Sequence, residues 1–285
     1  MEFLGIKISE VNKEQALQKV VEFLRPNVPG EAVAKTGHMI FTPNPEFVVK
    51  AQKDEYFKKV LNAGDLNLCD GMGIQIFTGI KRVPGVDFMM EICKLAAEQG
   101  MGVYLLGSGN DEVVKKTAEE LRKRFPNLKI VGCDKGPMID EQNPTLYPSP
   151  CGGGSDVMAS ATVVSPPIRG RTEEGVLVDG NNSTIQLINQ LHPDILFVAI
   201  GMGKQEKWIY ENLNKMPNVK VAMGVGGSFD FISGKVKRAP LFLRRLGLEW
   251  MYRLIQEPSR IGRIFNATFK FCYLVIKNRV YEKKV

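Results

Sequence analysis

The sequence predicts an α/β fold, a Rossmann-like arrangement in which helices cover both faces of a mainly parallel sheet. Short apolar segments alternate with amphipathic segments along most of the chain, which is the pattern of βα units. The apolar segments are continuous runs, as expected of strands that are buried on both faces. With 285 residues, of which 44% are hydrophobic and 24% charged, the chain can form one large domain or two small ones, and wholesale disorder is excluded.

Six strands and six longer helices follow one another along the chain. Pro45 in the first turn and Gly64 at the end delimit the second of these helices. A further short helix is expected to begin near Met72. The predicted strands are 38–42, 66–70, 102–107, 128–132, 194–200 and 219–225, and the predicted helices are 11–24, 45–64, 86–99, 110–125, 182–191 and 204–216.

One segment interrupts this alternation. Residues 143–178 are rich in proline, glycine and serine and lie between a strand and the helix that should follow it. Long loops inside a compact domain are uncommon and are often functional or disordered. We therefore interpret 143–178 as an inserted flexible loop with a weak strand at 157–164, and a lid over a functional site is the second interpretation.

The charge of the chain is concentrated at its C-terminal end. Residues 234–285 contain thirteen Lys or Arg and three Glu, a net charge of +10, whereas the whole chain carries +7. The preceding residues therefore carry −3. This asymmetry predicts an α/β core over 1–233 and a basic, helical C-terminal appendage over 234–285. Such an appendage favours an anionic partner, either a phospholipid surface or nucleic acid.

The appendage also combines arginines with aromatic side chains on amphipathic segments, which is typical of helices that lie in the interface of a bilayer. Basic residues near an anionic leaflet contribute about 1 kcal/mol each. We therefore favour an anionic membrane surface over the alternative in which the apolar stripe is core and the arginines are solvated. The residues concerned are Arg244, Arg245, Arg253, Arg260, Arg263, Trp250, Phe265, Phe269, Phe271 and Tyr273.

Several classes of protein are disfavoured by what the sequence lacks. No run reaches the roughly 18 apolar residues of a spanning helix, and charged residues stand where a signal peptide would be apolar, so the cytoplasm is the expected location. Five scattered cysteines without Cys-x-x-Cys spacing argue against disulfides and zinc ribbons. Without Asp-x-Asp or His-Glu-x-x-His, and with His38 and His192 interpreted as structural, we expect no metal and no other cofactor.

Polar and glycine-rich loops follow several of the predicted strands, and their carboxyl ends should meet at one edge of the sheet, where such folds bind ligands. Thr42 and Asn44 either bind sugar hydroxyls or cap the next helix, and for these residues alone capping is favoured. Asp70 ends an apolar strand before Gly71 and Gly73. Burial there would raise its pKa towards the range of a general base, and the alternative is again a helix cap.

Three further loops have the character of phosphate-binding turns. Gly107 and Gly109 precede a helix whose N-terminus favours an anion, although Glu112 stands where a dinucleotide fingerprint needs glycine. Gln205 and Gly226 belong to two more glycine-rich strand exits. A plain tight turn explains any one of these loops almost as well, but several at one sheet edge favour a binding site.

The motifs together resemble the WecG/TagA/CpsF glycosyltransferases. The resemblance covers nearly the whole chain outside 143–178, which is foreign to the family pattern. It is carried by motifs that occur in order, namely Thr42-x-Asn44, Asp70-Gly71-x-Gly73, Arg82-x-x-Gly85-x-Asp87, Gly203-Lys204-Gln205-Glu206, Arg238-Ala239-Pro240, Leu248-Glu249-Trp250-x-x-Arg253 and Glu257-Pro258-x-Arg260.

The resemblance implies a fold of the GT-E type and a function. The resemblance is strongest to the TagA branch, which implies transfer of N-acetylmannosamine from UDP-N-acetylmannosamine to undecaprenyl-diphospho-N-acetylglucosamine in wall teichoic acid synthesis, by a metal-independent, inverting displacement. Asp70 would deprotonate the acceptor hydroxyl, and a basic C-terminal segment would join the active site to the inner face of the cell membrane. The implied substrate-binding residues are Thr42, Asn44, Arg82, Asp87, Gly107, Gly109, Gln205, Gly226, Arg238, Arg253, Arg260 and Arg263.

Two other functions remain as alternatives. One is a nicotinamide-dependent oxidoreductase on a doubly wound sheet, which the residue at position 112 already disfavours. The other is a noncatalytic nucleic-acid binder that uses the basic appendage. The resemblance favours the transferase, with a UDP-sugar donor, a polyprenyl-diphosphate acceptor, a membrane surface and no nucleic acid as partners. Homo-oligomers are expected only away from the membrane.

Overall fold

A six-stranded, all-parallel sheet forms the centre of the molecule. The computed structural model describes residues 1–25, 37–137, 180–258 and 261–282, so the predicted insert at 143–178 lies outside the described residues. A short antiparallel hairpin, β1 and β2, precedes the sheet, whose order is β4-β3-β8-β7-β5-β6. The predicted fold class is confirmed. The strands are β1 (Glu2–Phe3), β2 (Ile6–Lys7), β3 (His38–Phe41), β4 (Leu66–Asn67), β5 (Gly102–Gly107), β6 (Lys129–Asp134), β7 (Ile195–Ala199) and β8 (Val221–Gly224).

Twelve α-helices lie in the described ranges, and four of them begin at an Asn or Asp whose side chain caps the helix. Asn12 caps the first helix in a capping box with Gln15, and Asn110 caps the sixth through two backbone N–H groups. The helices are α1 (Lys13–Leu24), α2 (Pro45–Ala51), α3 (Glu55–Asn62), α4 (Met72–Thr78), α5 (Gly85–Gln99), α6 (Asp111–Arg124), α7 (Gly180–Leu191), α8 (Lys204–Asn212), α9 (Ser228–Ile232), α10 (Leu241–Arg245), α11 (Glu249–Gln256) and α12 (Ile261–Glu282).

The single helix predicted over 45–64 is wrong, because the chain forms the two helices α2 and α3 there. Asp54 caps α3 by accepting the backbone N–H of Phe57 at 2.8 Å, and Lys207 donates to the same carboxylate at 2.8 Å. An aspartate side chain that bonds to nearby backbone N–H groups competes with a continuous helix. The break lets both helices bury apolar side chains, such as Phe47 and Phe57, whose rings lie 5.7 Å apart.

Alternate residues of the buried strands face two separate apolar layers. On one face, Ile40, Leu105 and Phe197 pack against α1, α5 and α6. On the other face, Phe41 and Leu106 pack against α2, α3, α7, α8 and α12. This two-sided burial explains why the strands are continuous apolar runs in the sequence.

The C-terminal helix α12 is only partly buried. Phe271 and Val275 belong to the core beside α2, and the ring of Phe271 lies 6.0 Å from that of Phe3 and 5.9 Å from that of Phe77. Within the described ranges, no helix has both the length and the apolarity needed to cross a membrane. Large exposed apolar side chains are nevertheless concentrated in α10 to α12, namely Leu241, Phe242, Leu246, Trp250, Met251, Ile255, Ile261, Phe265, Phe269, Tyr273 and Ile276.

Candidate active site

A cavity of about 1040 Å³ lies at the carboxyl ends of the parallel strands. The loops after all six strands of the sheet contribute to its walls, and α4, α11 and α12 close it from the opposite side. This is where α/β sheets of this kind bind their ligands. Most of the residues predicted for the site line it, namely Thr42, Asn44, Asp70, Arg82, Gly109, Gln205, Gly226, Arg238 and Arg253.

Asp70 is held at the edge of the sheet by backbone hydrogen bonds beyond the end of β4. Leu68 N–H donates to the carbonyl of Phe41 at 2.8 Å, and Asp70 N–H donates to that of Pro43 at 3.0 Å. The helix that follows has Gly71 as its N-cap, without a side-chain capping bond. Instead of capping α4, the Asp70 carboxylate accepts the backbone N–H of Gly85. Its side chain is 28% exposed and lines the cavity.

Burial raises the pKa of Asp70 to about 6, and it outweighs every opposing influence on this group. Arg82, the N–H of Gly85 and Arg238 each lower that pKa, whereas the negative charge of Glu249 raises it. At neutral pH such a carboxylate is mostly ionised and yet basic enough to accept a proton from a hydroxyl group in a transition state.

Thr42 and Asn44, the polar residues after β3, were predicted either to cap a helix or to bind sugar hydroxyls. Asn44 Oδ1 caps α2 by accepting the N–H of Glu46 at 2.9 Å and that of Phe47 at 3.2 Å, so the capping interpretation is confirmed. Asn44 and the buried Thr42 also line the cavity. A Cβ atom at Gly85 would come within 3.2 Å of Thr42 Cγ2. Thr42 therefore packs against Gly85, whose backbone N–H interacts with the carboxylate of Asp70.

A chain of ion pairs joins the sheet edge to the C-terminal segment, by which we mean residues 234–282. Arg82 Nε donates to the backbone carbonyl of Asp70 at 2.7 Å, and its Nη2 lies 3.3 Å from Glu249 Oε2. Glu249 Oε1 in turn accepts Arg238 Nε at 3.1 Å. Arg238 donates hydrogen bonds to both carboxylate oxygens of Asp87, from Nη1 to Oδ1 at 2.5 Å and from Nη2 to Oδ2 at 3.0 Å. Fork-to-fork pairs of this kind fix geometry as well as charge.

Two residues predicted for the site do not line the cavity. Asp87 lies on α5, where Arg238 binds it, so its position indicates that it anchors the C-terminal segment. Gly107 has φ +126°, and a Cβ there would lie within 2.5 Å of the Ala199 backbone. Glycine is therefore required at 107 by the close approach of β5 and β7. Gly109, with φ +63° and open space around it, does face the cavity.

Gln205 belongs to a buried network that fixes two glycine-rich loops. Its Oε1 accepts the N–H of Gly226 at 3.0 Å, and its Nε2 donates to Glu206 Oε1 at 2.6 Å. The second carboxylate oxygen of Glu206 accepts the N–H of Gly203 at 2.6 Å. Glu206 is fully buried, and burial raises its pKa to about 7. Gln205 thus ties the loop after β8 to the start of α8.

The structure describes the arginines of the C-terminal segment to different extents. Arg253 lines the cavity, with its guanidinium 4.9 Å from the centre of the Phe231 ring and its Nε 3.7 Å from Glu257 Oε2. Arg260 and the side chain of Arg263 lie outside the described residues. Arg82, Arg238 and Arg253 are therefore the predicted arginines that can be located on the cavity wall.

The sequence interpretation missed several residues of the cavity wall. Glu249 stood in a quoted motif without a role, because its partner Arg82 is 167 residues away in the sequence. Lys204, next to Gln205, also lines the cavity, and its position at a strand exit could have indicated this. Ser108 and Lys135 do so from the loops after β5 and β6.

The site combines a carboxylate of raised pKa, Asp70, with arginines on the wall of the same cavity. Among the described residues, no group of three or more His, Cys, Asp or Glu side chains is arranged to hold a metal ion. The chain belongs to the WecG/TagA/CpsF family of glycosyl transferases, whose sequence model matches residues 1–148 and 159–285.

Curated relatives cover most of the chain. It is 30% identical over 255 residues to the N-acetylglucosaminyldiphosphoundecaprenol N-acetyl-beta-D-mannosaminyltransferase of Bacillus subtilis strain 168, which spans 87% of this chain and 83% of that protein. The protein of the same name from Staphylococcus aureus strain MW2 is 26% identical over 291 residues, which spans 100% of this chain and 95% of the relative. Family membership favours the transferase over the oxidoreductase and the nucleic-acid binder.

The family match also corrects the extent of the predicted insert. Only residues 149–158 fall outside the matched ranges, so the interpretation of all of 143–178 as foreign to the family is wrong. The insert was predicted to be too long because proline, glycine and serine continue on both sides of the short unmatched stretch.

Proposed function

We propose that this protein transfers N-acetylmannosamine from UDP-N-acetylmannosamine to undecaprenyl-diphospho-N-acetylglucosamine, as a step of wall teichoic acid synthesis. The relatives named above support both the sugar and the lipid-linked acceptor. The observation that carries the proposal is the position of Asp70, a carboxylate of raised pKa at the rim of a cavity that arginines close from the other side.

The proposed reaction is a single displacement with inversion at the anomeric carbon. The acceptor hydroxyl oxygen attacks C1 of the donor sugar, and the bond between C1 and the UDP oxygen breaks. Asp70 accepts the hydroxyl proton, so that the alkoxide does not have to form as a free anion. The pKa of about 6 supports this role, because the group is ionised before the reaction and a competent base during it.

The departing diphosphate requires positive charge and N–H donors. Arg82, Arg238 and Arg253 line the same cavity as the loops of Gly109 and Gly226, and a Cβ atom at Gly227 would lie 2.9 Å from Arg253 Nη2. Guanidinium groups suit diphosphate oxygens through paired hydrogen bonds, and fixed donors in a cavity stabilise developing negative charge at little reorganisation cost. These features support a mechanism in which arginines, without a metal ion, neutralise the leaving group.

Attachment to the inner face of the cell membrane is part of the proposal. The exposed apolar side chains of α10 to α12 and the net charge of +10 over residues 234–285 support it, because amphipathic helices with basic residues bind anionic bilayers. Thr42 and Asn44 are proposed to contact the sugar, and Arg260 and Arg263 to approach the diphosphate of donor or acceptor.

A transfer assay with a panel of labelled UDP-sugars tests the proposed function. The full chain is incubated with a polyprenyl-diphospho-N-acetylglucosamine acceptor, with and without a divalent-metal chelator. Transfer from UDP-N-acetylmannosamine that persists in chelator is expected, with a product of inverted anomeric configuration. Transfer of a different sugar would overturn the donor assignment, and loss of activity in chelator that added Mg²⁺ restores would overturn the metal-independent mechanism.

A further inference from the structure

The cavity has two chemically different ends. At the strand ends its walls are polar and charged, with Asp70, Arg82 and Gln205. The helices α4, α11 and α12 add apolar side chains to the wall, namely Phe77, Trp250 and Phe271, and of these helices α11 also contributes the charged Glu249 and Arg253. A ligand that fills the whole cavity must therefore be amphiphilic, with an anionic head at the sheet edge and an apolar part between the helices.

The apolar end is built from one face of α12. Its cavity-lining residues are Ile264, Ala267, Thr268, Phe271 and Cys272, which recur at the spacing of a single helical stripe. An adjacent stripe on the same helix is apolar and exposed, and it consists of Phe265, Phe269, Tyr273 and Ile276. The wall of the cavity thus continues around α12 onto the outer surface of the molecule without a polar interruption by these residues.

Two apolar side chains mark where the cavity opens. Ile76 lines the cavity and is 69% exposed, and Trp250 lines it and is 47% exposed. A side chain with both properties lies where the cavity meets solvent. Ile76 stands four residues, about 6 Å along the helix, beyond Met72 at the start of α4, and Asp70 precedes that start by two residues. The opening is therefore close to the catalytic candidate.

We propose that this opening, formed by Ile76 of α4, Trp250 of α11 and the cavity-facing stripe of α12, is the binding site for the first prenyl units of the lipid acceptor. The proposal rests on the proposed function and adds the path of the chain. The diphosphate lies at the arginines, and the prenyl chain crosses Ile76 and Trp250 to reach the exposed stripe of α12. Burial of prenyl carbons against these side chains supplies affinity that the diphosphate alone does not have.

Calorimetric binding of two probes tests the site without any sugar transfer. Farnesyl diphosphate, below its micelle concentration, carries head and chain, and inorganic diphosphate carries the head alone. The wild-type protein is expected to bind the prenyl probe at least about tenfold more tightly. Ile76→Asn should remove most of this difference and leave the affinity for inorganic diphosphate unchanged. A matched control is Ile255→Asn, because Ile255 is 73% exposed on α11 and is not part of the cavity wall.

The outcomes separate this proposal from the proposed function. If Ile76→Asn and Ile255→Asn retain the same preference for the prenyl probe as the wild type, the proposed prenyl site is wrong, even where sugar transfer is observed. If the preference is present and depends on residue 76 but no UDP-sugar is transferred, the prenyl site stands and the proposed reaction fails. Because Ile76 is mostly exposed, the variant should fold, and an unchanged thermal unfolding midpoint verifies this.

Discussion

The edge of the sheet and the C-terminal segment form opposite walls of the same cavity, and they are held in different ways. At the sheet edge, backbone hydrogen bonds and fully buried side chains fix Asp70 and Gln205. The C-terminal segment is attached through the partly exposed ion pairs of Arg238 and through the buried side chains of Phe271 and Val275. It also exposes many large apolar side chains. The comparison teaches that the proposed base is positioned by the rigid core, whereas Arg238 and Arg253 are presented by a segment whose attachment is easier to disturb.

The largest effect is expected at the sheet edge, for Asp70→Asn. Without a base, sugar transfer should fall by about 10² to 10⁴-fold, while the fold is retained because the backbone hydrogen bonds of residue 70 do not involve its side chain. Initial rates and thermal unfolding of the variant measure both. Glu91→Gln, on the surface pair with Lys13, is the matched acid-to-amide control. A variant of residue 70 with near-normal rates would contradict the assignment of the base.

The second effect is also at the sheet edge and concerns stability. The pKa of Glu206 is about 7 in the folded protein, whereas its ordinary value, expected in the unfolded chain, is 4.5. Between pH 4.5 and pH 7 the folded protein therefore binds more protons at this group than the unfolded chain does. The free energy of unfolding should therefore decrease as pH rises from about 4.5 to 7, by up to about 3 kcal/mol from this group. Glu206→Gln should flatten this dependence, and denaturant unfolding at several pH values measures it. An equal slope in both proteins would rule the effect out.

On the C-terminal side, Glu249→Gln should have a smaller effect on rate, about tenfold, because Arg82 and Arg238 lose a shared carboxylate. It should also move the acid limb of kcat/KM. The negative charge of Glu249 raises the pKa of Asp70, so its removal lowers that pKa and the limb shifts to lower pH. A fall in rate with an unmoved limb would show that Glu249 acts on structure alone, and Glu249→Asp should restore part of the rate.

The smallest effect is expected for the pair of Arg238 and Asp87. A double-mutant cycle with Arg238→Met and Asp87→Asn should give a coupling free energy of about 1 kcal/mol, because Asp87 is partly exposed and water screens the pair. Hydrogen exchange should show faster local opening of α10 and α11 in each variant, with the sheet unaffected. Equal exchange throughout the molecule would contradict a separately held C-terminal segment.

The sequence predicted the sheet better than the surroundings of the site. Strand 102–107 has the predicted bounds, since a continuous apolar run that ends at glycine has few other structures open to it. The position of Asp70 followed from the same reasoning, because a residue just past a parallel strand must lie at the sheet edge. The helix predicted over 45–64 failed, since capping by Asp54 depends on a side-chain bond that apolar periodicity does not encode.

Contacts between residues that are far apart in the chain could not be predicted from the sequence. The role of Asp87 changed from ligand binding to anchoring once its partner Arg238 was known, and the two are 151 residues apart. Likewise, the apolar end of the cavity requires α4 and α12 to be neighbours, which no local pattern indicates. Glu249 was overlooked for the same reason, although it bears directly on the electrostatics of the site.

The ring of Phe271 packs against two stretches that are remote from it in sequence, the N-terminal hairpin at Phe3 and helix α4 at Gly73 and Phe77. If α12 swung outwards, a second gap would open beside α4, and water could reach the proposed donor sugar through it. Hydrolysis of the donor, a wasteful side reaction, should therefore report how firmly this helix is seated. A bilayer that draws the outer stripe of α12 towards itself while leaving the inner stripe in place would suppress that leakage.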